Sequence, residues 1–177
     1  MFLIRTERLI LRDFISSDLI SFSALRQDDK FLRFYNEEDS ADSKARQLLT
    51  RFIQQTAESP RMNYQLAIVL KTGELIGTCG IRAGKISGEY SIGCELGRLW
   101  HGKGFAQEAG KAIIDFGFSE LNAHKIYAET VSENKAAIRL CRQLGMKIEE
   151  ECKEDRYFKG RKWGTTVLAL YQNTGYS

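Results

Sequence analysis

The chain has 177 residues, 43% of them apolar, with one proline and a net charge of +3. Such a length and apolar fraction fit a single globular domain over residues 1–177 and argue against disorder, while scattered Lys and Arg residues, with no basic run, argue against direct nucleic-acid binding. The four cysteines (Cys79, Cys94, Cys141 and Cys152) form no C-x-x-C pair and there are two histidines, so the expectation is no metal, and reduced thiols in a cytoplasm.

The N-terminus meets charge at Arg5, too early for a signal peptide, and no apolar run approaches the roughly 20 residues of a membrane span. Leu3 to Phe14 reads as a first half-buried strand, with Leu9 and Leu11 inward. Ser16, Ser17 and Asp18 form a helix-cap signal, and Leu19, Phe22 and Leu25 follow at helical spacing. Residues 28–43 are polar and irregular but hold Phe31, Leu32, Phe34 and Tyr35, which either pin the loop or wall an acceptor pocket. Asp42 is expected to cap a second helix running to about Ser59, with Leu48, Leu49, Phe52 and Ile53 as its apolar face; Ser59 before Pro60 ends it.

Asn63–Leu70 and Leu75–Ile81 flank a turn at 71–74 as a hairpin. Tyr64, Leu66, Ile68 and Leu70 share one face of its first strand. Glu89–Leu96 follows as a third antiparallel strand. A helix from about Gly104 to Leu121, with Phe105, Ala109, Ala112, Ile113 and Phe116 on one stripe, leads to a strand at Ala123–Val131. Strand, helix and strand predict a right-handed crossover and a parallel pair. Ser132 or Asn134 opens a last helix (Ala137, Leu140, Cys141, Leu144), which Gly145 closes. Ile148–Phe158 and Trp163–Tyr171 form a closing hairpin. Its aromatics, Tyr157, Phe158 and Trp163, point either to a homodimer surface or to a substrate wall.

The chain is organised around the stretch from Glu95 to Ala109, where the third strand runs into a glycine-rich turn and then a helix. Glycine N–H groups and the orphan donors of a helix start can bind phosphate without a side chain, and Lys103 adds a cation. Gly97 to Lys103 spells the G-x-x-x-x-G-K start of a nucleotide-hydrolase loop, but Gly104 stands where Ser or Thr should hold magnesium. A dinucleotide G-x-G-x-x-G would need glycine where Gln107 stands. A third loop, Q/R-x-x-G-x-G/A, fits His101 to Ala106 in its two spaced small residues and departs at His101.

That loop, read as Trp100-x-Gly102-Lys103-Gly104-Phe105-Ala106-x-Glu108-Ala109, resembles the pyrophosphate loop of the GCN5-related N-acetyltransferases (GNAT), in the form of their RimJ/RimL-type branch. The opening Thr6–Arg12 resembles the start of such chains. Val131–Met146 resembles the family's V-x-x-N-x-x-S/A-I-R-x-x-x-x-x-G-F segment. The resemblance covers nearly the whole chain. It implies an α+β fold: a mostly antiparallel twisted sheet of about seven strands, a splayed parallel pair at its middle, and about four flanking helices.

The resemblance also implies acetyl-CoA as donor and a primary amine as acceptor. The pantetheine would pair with the strand edge at Leu96, Gly97, Arg98 and Leu99. His101, Gly102, Lys103, Gly104, Phe105, Ala106 and Gln107 would cradle the pyrophosphate. Asn134 would bond the pantetheine arm, or simply cap its helix; Arg139 would reach the nucleotide phosphates, or stand in solvent. Direct transfer needs a base for the amine and a donor to the carbonyl oxygen. Glu95, ending the strand beside the thioester, is the candidate base. Where many members carry a tyrosine acid, this chain has Cys141, which is either the acid or a small core residue. A RimJ/RimL-type enzyme would acetylate a protein N-terminal amine; a small-molecule amine such as a polyamine, amino acid or antibiotic is the alternative, and so is a non-catalytic acetyl-CoA-binding module.

Overall fold

Leu9 and Leu11 are fully buried while Ile10 between them and Arg12 after them are half-covered. This alternation lays residues Leu9–Asp13 flat on a core as one strand of a single eight-stranded sheet in the computed structural model, which describes residues 1–173. In chain order the strands are β1 (Leu3–Arg5), β2 (Leu9–Asp13), β3 (Asn63–Leu70), β4 (Leu75–Ala83), β5 (Glu89–Leu96), β6 (Lys125–Val131), β7 (Lys147–Phe158) and β8 (Arg161–Tyr171). They lie in the order β1-β2-β3-β4-β5-β6-β8-β7. Every neighbouring pair is antiparallel except β5 and β6.

The expected first strand is two. Thr6 turns the chain, its N–H donating to the Leu9 carbonyl at 2.9 Å, so β1 folds back on β2 and the sheet has eight strands rather than about seven. Four helices flank it: α1 (Leu19–Leu25), α2 (Lys44–Gln55), α3 (Phe105–Ser119) and α4 (Lys135–Gln143). α1 and α2 cover one face through Phe14, Phe22, Leu49, Ala67 and Val69. α3 and α4 cover the other through Leu66, Ile68, Ile81, Ile113, Ile126 and Leu168. β3 is therefore buried on both sides: Tyr64, Leu66, Ile68 and Leu70 share the α3–α4 face as expected, and Ala67 and Val69 are buried on the other.

Two cap expectations also change. Asp42 does not cap α2, which begins one residue after Ser43 without a side-chain cap and ends at Gln55, short of Ser59. Asp18 lies in a 3-10 turn, where its carboxylate takes the Ile15 N–H at 2.8 Å and two Arg12 bonds at 2.9 Å each. The α4 cap holds: Asn134 Oδ1 accepts the Ala137 N–H at 3.2 Å, and Gly145 closes the helix with a φ of 88°. In the β7–β8 turn both Lys159 (φ 49°) and Gly160 (φ 73°) are left-handed, the twist that suits a two-residue hairpin.

The central detail is the parallel pair. β5 and β6 register at Glu89–Lys125, Tyr90–Ile126 and Ser91–Tyr127, and there the pairing stops. β5 continues to Leu96 against β4, and β6 continues to Val131 against β8. The strands splay, with the start of α3 at the open end.

Candidate active site

The loop that follows β5 is short and held from three sides. Gly97 donates to the Ile76 carbonyl at 2.7 Å and ends the ladder. Residues Arg98–Trp100 then form a 3-10 turn. The strand ends at Leu96 as expected, and Gly97, Arg98 and Leu99, expected beside the pantetheine, lie in this turn, where Trp100 and His101 fold back onto Gly97 and Arg98. His101 Nε2 lies 3.0 Å from the Leu96 carbonyl, so this residue fastens the loop to the strand.

Gly102 (φ 74°) and Gly104 (φ 81°) take left-handed conformations that a side chain would strain. They turn the chain into α3, whose first turn comprises Phe105, Ala106 and Gln107. Among the described residues, none of the N–H groups from Gly102 to Gln107 donates to an acceptor. These donors lie at the positive end of a 15-residue helix, a place that suits a phosphate. Among the described residues no group of His, Cys, Asp and Glu gathers in a metal-binding cluster.

Sequence reasoning missed the residue that braces this loop. Arg8, in the β1–β2 turn, donates from Nη1 to the Lys103 carbonyl at 2.8 Å and from Nε to Glu108 at 2.9 Å, with its guanidinium 4.3 Å from the Phe105 ring centre. Glu108 also takes the Thr6 hydroxyl at 2.6 Å and the Arg8 N–H at 3.0 Å. The Thr6–Arg8 opening was visible, but nothing in it indicated a partner about a hundred positions away.

Glu95 and Cys94 point to opposite faces of β5. Cys94 joins the α3–α4 core, opposite Cys79 on β4. Its thiol is pushed up to about 12 by burial first and then by Glu95 and Cys141. Cys141 is buried in the same core, and burial raises its thiol to about 11. Glu95 faces the other way and accepts a hydrogen bond from the Tyr35 hydroxyl. Burial raises the Glu95 carboxyl above its ordinary range; the Tyr35 bond and the charges of Arg26 and Arg82 oppose that rise without cancelling it. Tyr35 is held well above its usual value, mainly by burial and then by Glu95.

The aromatic loop is anchored as well as placed near Glu95. Phe31 stacks on Tyr35 at 6.4 Å, while Phe34 meets Trp163 edge-on at 5.8 Å. Lys159 Nζ donates to the Leu32 carbonyl at 2.7 Å. Phe158 and Trp163 are consequently buried, which corrects the expectation of an exposed aromatic surface; Tyr157 stays outside. Arg139 is exposed and its side chain makes no hydrogen bond or ion pair with the described residues.

A sequence profile described as an acetyltransferase (GNAT) domain matches residues 8–147. The chain belongs to the GNAT acetyltransferase family. The nucleotide-hydrolase and dinucleotide readings of the glycine loop are thereby set aside. This GNAT chain is 33% identical over 167 residues, 93% of each chain, to the uncharacterized N-acetyltransferase p20 of Bacillus licheniformis. Its fold is similar to that of the ribosomal-protein alpha-N-acetyltransferase RimL solved with coenzyme A (TM-score 0.83, 16% identity, 96% of this chain and 98% of that one). It is also similar to that of spermidine N-acetyltransferase from Vibrio cholerae solved with coenzyme A and spermine (TM-score 0.79, 21% identity, 94% and 97%).

Proposed function

We propose that this GNAT enzyme transfers an acetyl group from acetyl-CoA to a primary amine, and that the amine is the N-terminus of a protein. The observation that carries the donor assignment is the set of free N–H groups from Gly102 to Gln107 at the open end of the β5–β6 splay. Acetyl-CoA supplies an activated thioester when bound. Gly102, Lys103, Gly104, Phe105, Ala106 and Gln107 hold its pyrophosphate, with Arg139 toward the nucleotide phosphates. The β5 edge ending at Leu96 and the amide nitrogen of Asn134, whose oxygen already caps α4, hold the pantetheine. Glu95, across the strand from the Cys94 side, removes the proton from the attacking amine directly or through water.

Similarity to RimL supports a protein N-terminus. The likeness to the spermidine enzyme supports a polyamine, and at these identities the shared fold does not choose between them. A thermal-melting series with acetyl-CoA, coenzyme A, ATP and NAD tests the donor. A ligand at a hundred times its Kd that binds only the folded state adds about 2.7 kcal/mol. A shift with acetyl-CoA and coenzyme A, and none with ATP or NAD, is expected. A shift with ATP alone would overturn the assignment. Turnover on any amine removes the non-catalytic alternative.

A further inference from the structure

The face of the sheet that carries Glu95 is partly uncovered. The β4–β5 register sets Thr78 beside Glu95, Gly80 beside Gly93 and Arg82 beside Ser91, and the β3–β4 register adds Gln65 beside Gly80. Directly paired residues share a face, so these seven residues belong to the Glu95 surface. α1 and α2 cover Ala67, Val69 and Leu75, but Gly93 and Arg82 remain exposed. Gly93 is an exposed glycine in a central strand. A methyl group there would meet a neighbour only at the Arg82 Nη2, 3.4 Å away. The guanidinium therefore lies across the glycine, one same-face step of about 7 Å from Glu95.

A second guanidinium reaches the same place from the loop. Arg26 is buried, lies 5.5 Å over the Tyr35 ring, and donates to the Asp39 carbonyl. Tyr35 in turn donates to Glu95. Neither Arg26 nor Arg82 forms an ion pair with a described residue. Two cations thus flank one carboxylate. The register sets three further acids on this face: Glu89 at the far end of β5, which faces Lys125, and Glu129 and Glu150 beyond the splay.

We propose that the acceptor carries a carboxylate a few bonds from its amine, with the amine at Glu95 and the carboxylate at Arg82 and Arg26. This rests on the acetyltransferase reading and narrows it. An amine must reach Glu95 neutral, and an anion beside it balances the two guanidinium groups. A polyamine would instead bring further positive charges against them, at a separation where like charges repel. Two sources offer this chemistry: the α-carboxylate of a free amino acid, and an acidic side chain at a peptide N-terminus.

Matched acceptors separate them. Alanine against alaninamide tests the first source; two hexapeptides differing in an initial Glu or Gln test the second; spermidine is the cationic comparison. At saturating acetyl-CoA the acidic member of one pair is expected to show a KM at least about ten-fold lower than its neutral partner, the scale of a charged hydrogen bond. Arg82→Ala is expected to erase that difference without changing KM for acetyl-CoA, and Arg82→Lys to restore part of it. Arg82→Glu is expected to raise turnover of spermidine. The inference is overturned if spermidine or the neutral partners are preferred by the wild type, or if Arg82→Ala affects both members of a pair equally. It is also overturned if neither acidic acceptor is turned over or shifts the melting of the coenzyme A complex. Loss of the acetyl-CoA melting shift itself would count instead against the donor assignment.

Discussion

Arg8 and Glu108 are 2.9 Å apart across about a hundred residues of sequence, and their contact closes the back of the glycine loop. The acidic side chain sits in the first turn of α3, where it would otherwise compete with a bound phosphate for the helix end. Arg8→Ala should raise KM for acetyl-CoA about ten-fold and leave kcat nearly unchanged, because it loosens the loop and frees the Glu108 charge without touching the acceptor. An equal fall in kcat would mean that the loop and the acceptor face move together.

The same pair predicts a pH dependence. Burial raises the Glu108 carboxyl, but hydrogen bonds from Thr6 and Arg8 outweigh it and leave it below its ordinary range. A depressed acid stabilises the fold above its unfolded pKa and loses that contribution as pH falls through the folded one. Melting curves taken downward from pH 6 should therefore fall less steeply for Glu108→Gln than for the wild type.

Gly104 tests the loop backbone. Its φ of 81° disfavours any side chain, and a methyl there would stand 3.3 Å from Arg8 Nη2. Gly104→Ala should lower stability by about 1–2 kcal/mol and weaken coenzyme A binding measured by calorimetry. Gly73→Ala is the control, since it is also left-handed but meets nothing; it should lose stability alone.

Glu95 is raised by burial, so the acid limb of kcat/KM should inflect above the ordinary carboxylate range. Glu95→Gln should remove that limb and lower kcat by roughly 100-fold at neutral pH. The sign for stability is opposite. A raised acid costs stability once it ionises, so the glutamine variant should melt at the same or a higher temperature at pH 7. An unchanged pH profile would exclude Glu95 as the base.

Cys141 should be dispensable to the chemistry. Its thiol, raised to about 11 by burial, is a weaker acid than an ordinary thiol and so a poor proton donor to a leaving thiolate. Cys141→Ala is expected to lose stability through a small cavity while keeping kcat within about three-fold. A loss of 100-fold or more would restore it as the acid.

The strands and helices were legible because their apolar periods are strong. The β5-to-α3 turn was legible because glycines at 102 and 104 leave few alternatives. The Thr6 turn was not, since Leu3–Phe14 reads as one continuous run and the break depends on Glu108 from α3. Asp42 misled because a good cap residue in a loop does not fix where the helix begins. The 3-10 turn at Arg98–Trp100 was not legible because the indole of Trp100 packs back on Gly97, a contact that local sequence does not announce. Tyr35 was noticed as one aromatic among three; only the folded loop sets it on Glu95.

Three residue pairs join β5 to β6, and beyond them the sheet is two leaves, one carrying β1–β5 and the other β6–β8 with α4. A cosubstrate lying in that fork acts as a rivet between them. Amide hydrogen exchange along both inner edges should slow together when coenzyme A binds. Occupancy of the donor site would then be felt as stiffness at the β7–β8 hairpin, and through Lys159 and Trp163 in the loop that holds Tyr35. Acetyl-CoA would thus set the rigidity of the acceptor wall before any amine arrives.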